Sequence, residues 1–115
     1  MTAQAPRLDP VPSLALGPEL DLPIGARATF VQFSSAFCTP CRTTRRVLER
    51  VVATTDGVAH VELDIADRLA LGERLGITAT PTVLVLDADG VVRSRATGAP
   101  TLAQARAALA AVSGR

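Results

Sequence analysis

With 115 residues the chain has the size of one domain, and 48% hydrophobic against 20% charged residues gives it the means to bury a core. A formal net charge of +1 gives no electrostatic reason to expect nucleic acid or an anionic membrane as a partner. All twelve basic residues are arginine, which excludes any mechanism that needs a lysine, and two cysteines are too few for the disulfide framework of a small secreted scaffold.

Residues 1–25 hold Pro6, Pro10, Pro12, Pro18 and Pro23. Prolines at that density forbid a long helix and remove strand donors, so this stretch is expected to be an extended coil with at most one short strand near residues 13–16. Up to about Pro12 it reads as a solvated tail. The chain is therefore divided into a proline-rich extension, 1–25, and a domain, 26–115. No apolar run reaches the roughly 18 residues of a spanning helix, and no charged-then-apolar start marks a signal peptide. A cytoplasmic protein is expected, with a membrane-anchored form as the alternative if the N-terminus is trimmed.

From Ala28 the pattern sharpens. Residues 28–33 are nearly apolar on both faces, as in a central strand. Pro40 stands where a first helical residue belongs, with Thr39 as the expected N-cap. The helix that follows places Val47 with Val51 and Leu48 with Val52 on one buried face, and gives Arg42, Arg45, Arg46, Glu49 and Arg50 to solvent. Asp56-Gly57 stops it. A strand over 58–65, a short helix over 67–75 with Gly76 as its cap, and an apolar strand over 82–86 come next. Asp89-Gly90 turns the chain into an antiparallel strand over 91–95, and Thr101 caps a last helix to about residue 112. This order predicts a mixed sheet with helices on both faces.

Cys38 falls at the strand-to-helix turn, where the helix N-terminus carries about half a positive charge and favours thiolate over thiol. Arg42 and Arg45, one turn in, add to that potential. Because the thiolate is the attacking species in disulfide exchange, Cys38 is expected to be the nucleophile and Cys41, one turn on, the thiol that resolves the mixed disulfide. Pro40 fixes the turn between them. The same two cysteines are half of a zinc site, but tetrahedral zinc needs two further ligands and no second cysteine pair exists, so no metal is expected. His60, the single histidine, reads as a surface or partly buried strand residue without function. Far along the chain, Thr80-Pro81 precedes the apolar strand at 82–86, and proline there removes a ladder donor. Two readings stand: a cis bond that frees the Thr80 backbone to pair with an extended substrate, or a trans proline that begins an edge strand.

Taken together, the residues from Val31 through Cys38-Thr39-Pro40-Cys41-Arg42, then Thr80-Pro81 through Leu86, and Gly98 resemble the thioredoxin family. Cys38 and Pro81 are 43 positions apart, and Pro81 and Gly98 are 17 apart. The wording around Phe33 to Arg42 is similar to thioredoxin-like proteins of high-GC Gram-positive bacteria, some carried on membrane anchors. The resemblance covers about residues 28–112. It implies an α/β thioredoxin fold, three layers α/β/α around a central mixed sheet of four to five strands, a cis bond before Pro81, and a protein-binding groove lined by Phe37, Thr80, Pro81 and Gly98. It implies no organic cofactor beyond the redox-active disulfide Cys38–Cys41. The implied partners are disulfide-bearing proteins and an unidentified reductase, met by a monomer.

The chain departs from the family's usual pattern at several positions. Phe37 replaces a tryptophan, Gln32 a buried aspartate that accepts the resolving thiol's proton, Glu62 a neighbouring lysine, and Thr80 an isoleucine. Gln32 cannot ionise. Glu62 is open to two readings, a buried acid in the aspartate's stead or a side chain pointing to solvent. Thr39, Pro40, Gln32 and Glu62 are the positions expected to tune the redox pair. The expected activity is reduction of protein disulfides. The alternatives are a membrane-tethered extracytoplasmic reductant, or a non-enzymatic module that docks a partner or holds copper or a cluster.

Overall fold

The computed structural model describes Leu16 and residues 24–113, Ser113 by its backbone alone. The elements are β1 (Ala28–Ser34), α1 (Thr39–Ala53), β2 (Val58–Asp64), a 3-10 turn (Ile65–Asp67), α2 (Leu69–Arg74), β3 (Thr82–Leu86), β4 (Val92–Thr97) and α3 (Leu102–Ser113). They form one four-stranded sheet in the order β2-β1-β3-β4. β1 runs parallel to β2, with α1 as the crossover a parallel pair requires, and β3 is antiparallel to both β1 and β4. The expected mixed α/β sheet is therefore present.

Strand alternation sorts the apolar side chains into two cores. Ala28 and Phe30 of β1, with Val83 and Val85 of β3, meet Leu48 and Val51 of α1 and Ala105 and Leu109 of α3. Val31, Phe33, Leu84 and Leu86 face the other way, onto Leu63, Leu75, Val92 and Leu16, with Ile65, Leu71 and Ile77 at the edge. Three layers result. Both faces of β1 are covered, so all seven of its residues are buried. The same alternation turns Gln32 toward α1, which is how a polar residue comes to lie behind the helix that carries the cysteines.

Several local expectations need correction. Of the stretch near residues 13–16 only Leu16 is described; it is helical, not strand, and fully buried. The solvated tail expected up to Pro12 lies outside the described residues. The buried stripe of α1 is Cys41, Thr44, Leu48 and Val51, while Val47 and Val52 flank it half-buried. The helix expected over 67–75 is split. Asp64 accepts the Ala66 amide at 2.9 Å and starts the 3-10 turn, and Arg68, at φ −137, interrupts before α2 begins. Arg95 then donates to the carbonyls of Leu75 and Gly76, satisfying the end of α2. The fourth strand is Val92–Thr97 rather than 91–95; Val91 is a single bridge residue before it, its carbonyl accepting the Asp87 amide at 2.9 Å, while the Asp87 carboxylate takes the amides of Asp89 and Val91 at 2.9 and 3.0 Å. Thr101 behaves as expected. Its hydroxyl accepts the Gln104 amide at 3.0 Å, and the Gln104 side chain accepts the Thr101 amide at 2.9 Å.

Gly25 is fixed by close approach. A Cβ there would stand 2.3 Å from the Ala28 oxygen and 2.6 Å from the Gly57 oxygen, so the chain enters β1 through a gap only glycine fits.

Candidate active site

The site forms where β1 hands over to α1. Phe37 takes a left-handed backbone, φ 58, and its ring is fully exposed. That turn sets Cys38 as the N-cap of α1, correcting the expectation for Thr39, which is instead the first helical residue. The cap is the cysteine itself: the Cys41 amide donates to Cys38 Sγ at 3.2 Å. Thr39 and Pro40 lie exposed in the first turn, and Arg42 donates to the Thr39 hydroxyl at 3.5 Å. Cys38 and Cys41 are joined in a disulfide with Cα atoms 5.2 Å apart. Cys38 is half-buried, whereas Cys41 is 1% exposed.

Thr80 comes to this sulfur from the start of β3. Its carbonyl oxygen is 4.0 Å and its hydroxyl 3.9 Å from Cys38 Sγ, and the hydroxyl shares a 2.8 Å hydrogen bond with Ser35. The Thr80–Pro81 bond is cis, and the β3 ladder begins only at Thr82. Gly98, at φ 94, donates its amide to the Pro81 carbonyl at 2.8 Å. Cys38, Thr80, Pro81 and Gly98 are thus brought together, with Phe37 beside Cys38 in the chain.

Gln32 and Glu62 lie on the inner side of the cysteines. Gln32 is completely buried, and its Nε2 stands 2.8 Å from the Cys41 carbonyl oxygen, 3.0 Å from the Ser34 hydroxyl and 3.3 Å from Glu62 Oε2. Glu62 neither points freely to solvent nor sits as an isolated buried acid. Arg45 grips it at 2.6 and 3.0 Å and the Ser34 hydroxyl donates to it at 2.7 Å. The Arg45 hydrogen bond, helped by Ser34 and opposed by partial burial, holds the Glu62 carboxyl below its ordinary range, so it is ionised at neutral pH. Arg45, expected on the wet face beside the cysteines, is spent on this pair. His60 Nε2 is 2.9 Å from Gln32 Oε1, and burial, partly offset by Glu62, pushes the imidazole below its ordinary pKa. Sequence reasoning did not foresee Arg45, Ser34 and His60 here. The signal was available only as the parallel register, which sets Gln32 beside Glu62 and Phe30 beside His60.

Chemically the arrangement offers one half-buried sulfur at a helix N-terminus, one shielded sulfur bonded to it, and the Thr80 carbonyl oxygen 4.0 Å from the first. Among the described residues, no group of three or more His, Cys, Asp or Glu side chains could hold a metal ion. No described helix is long and apolar enough to cross a membrane.

A family model described as a thioredoxin-like domain matches residues 23–113. No curated protein sequence matches the chain. Among solved structures, chloroplastic thioredoxin z is similar at 25% identity and TM-score 0.73, over 86% of this chain and 91% of that one. A mutant thioredoxin from Halobacterium salinarum aligns at 20% identity and TM-score 0.69, over 76% of this chain and 75% of that one. Fasciola hepatica thioredoxin aligns at 23% identity and TM-score 0.66, covering 76% and 83% respectively. The last two likenesses speak to the fold.

Proposed function

The chain belongs to the thioredoxin-like family, and from that premise we propose that it is a thiol–disulfide oxidoreductase that reduces protein disulfides through Cys38 and Cys41. The observation that carries this reading is the asymmetry of the pair: Cys38 is accessible and caps a 15-residue helix, while Cys41 is shielded beneath it. In the reduced protein the Cys38 thiolate, favoured by the helix amides, attacks one sulfur of a substrate disulfide. The Cys38–substrate bond forms, and the other substrate sulfur leaves with the electron pair and takes a proton from water. Cys41, as thiolate, then attacks Cys38 Sγ, closes the Cys38–Cys41 bond and expels the second substrate thiol. A reductase must return two electrons to the pair.

Phe37, Thr80, Pro81 and Gly98 are the proposed groove, in which the Thr80 backbone pairs with an extended substrate strand. Thr39 and Pro40 tune the pair through the first turn of α1, and Gln32 and Glu62 tune it from behind. No organic cofactor is needed, because the Cys38–Cys41 disulfide itself carries the electrons. The same reading takes the protein as a cytoplasmic monomer with residues 1–25 as an extension of the domain. Leu16, the one described residue between 1 and 23, is buried in the second core. Insulin reduction driven by a dithiol donor tests the function: the wild type should catalyse precipitation of the insulin B chain and Cys38→Ser should not. A wild type no faster than the dithiol alone would favour a docking module.

A further inference from the structure

A glutamine with no exposed surface must have all its polar atoms answered from inside the protein, and the partners decide which way its amide faces. Ser34 spends its single hydroxyl hydrogen on Glu62, so toward Gln32 it presents lone pairs. Glu62 is a carboxylate and Cys41 offers a carbonyl oxygen, so all three groups around Gln32 Nε2 are acceptors. Among the described residues the other end of the amide meets His60, whose Nε2 must carry the hydrogen donated to Gln32 Oε1. Turned by 180°, the amide would set its oxygen against a carboxylate and a carbonyl, so one orientation is fixed.

This lock ends on Cys41. Of the acceptors around Nε2, the Cys41 carbonyl is nearest, at 2.8 Å, and it belongs to the residue whose sulfur must close on Cys38. We propose that Gln32 is the positioning residue for the resolving sulfur, with Glu62 and His60 holding its amide and Glu62 taking no proton from Cys41. The inference rests on the oxidoreductase reading and adds a division of labour. In closure the Cys41 thiol gives its proton to water, its sulfur bonds to Cys38 Sγ, and the departing thiolate leaves with the electron pair of the broken bond. Glu62 stays ionised throughout, because Arg45 of α1 faces it, Ser34 and Gln32 of β1 bond to it and His60 lies on its own strand. Glu49 of α1 is the remaining charged group that acts on His60.

The test uses glutathione disulfide as the probe. The reduced protein is mixed with it, quenched with acid at intervals and weighed intact, which separates formation of the Cys38–glutathione adduct from its release by Cys41. Gln32→Leu should slow release about three- to tenfold, the equivalent of one buried hydrogen bond, and change adduct formation by less than about twofold. Glu62→Gln and His60→Phe, which leave Gln32 in place, should each slow release by a smaller factor and carry the test if Gln32→Leu does not fold. The pH profile of release in Glu62→Gln should keep the wild-type shape. Release at the wild-type rate in a folded Gln32→Leu, or in both other variants, would overturn the proposal. So would a wild-type ionisation in that profile that Glu62→Gln abolishes. Wild type that fails to reduce insulin but still forms and releases the adduct would overturn protein disulfides as the substrate and leave the role of Gln32 standing.

Discussion

Phe37 occupies a left-handed conformation that costs an L-residue on the order of 1–2 kcal/mol, and its ring recovers nothing by burial. Residues kept in such a state without packing to justify it point outward to a partner, which fits the proposed groove. Phe37→Gly should therefore leave thermal stability within about 1 kcal/mol of wild type, the relief of φ strain offsetting the freer unfolded chain. It should raise KM for a protein disulfide with kcat little changed. A marked drop in stability would mean that the ring packs in solution, against this account. At this scale the cysteines were legible from the sequence because proline and a strand-to-helix change frame them. The cap was misassigned to Thr39 because threonine is a common capping residue and sulfur a rare one, yet here Cys38 Sγ takes the amide.

The β1–β2 pair shows what elements add that residues cannot. Each strand was legible from its apolar run, but only the register, Gln32 beside Glu62 and Phe30 beside His60, makes a polar network of four scattered side chains. Arg45 looked like a solvated helix residue because nothing in the sequence says that Glu62 lies across from it. The network predicts a pH dependence of stability. His60 titrates below its ordinary 6.5 in the folded state, so as pH falls below that value the unfolded chain binds more protons and stability declines. Glu62 is likewise held below its ordinary 4.5, so its contribution is present above that value and is lost as pH falls through its lower folded pKa. Urea midpoints measured from pH 8 to pH 3 should fall in two stages, and His60→Phe should flatten the stage around pH 6. A midpoint that rises between pH 7 and pH 5 would contradict the assignment.

Across the whole molecule, composition and the alternation of apolar strands with amphipathic helices made the layered α/β architecture legible. The spacing of Cys38, Pro81 and Gly98 made the family legible. What the sequence concealed was Leu16, because proline density argues about local conformation and is silent on which residue the core will recruit. Leu16→Ala should cost about 2–5 kcal/mol, as other large-to-small changes in a core do, and a loss below about 0.5 kcal/mol would place the segment outside the fold. Architecture and site converge on one claim, that Cys38 attacks and Cys41 resolves. The most direct measurement is to incubate reduced Cys41→Ser protein with a disulfide-bonded protein such as insulin and map the adduct by mass spectrometry. The account predicts a long-lived mixed disulfide through Cys38, absent in Cys38→Ser. Reduction of insulin by Cys38→Ser, or no adduct on Cys38 in the Cys41→Ser protein, would contradict it.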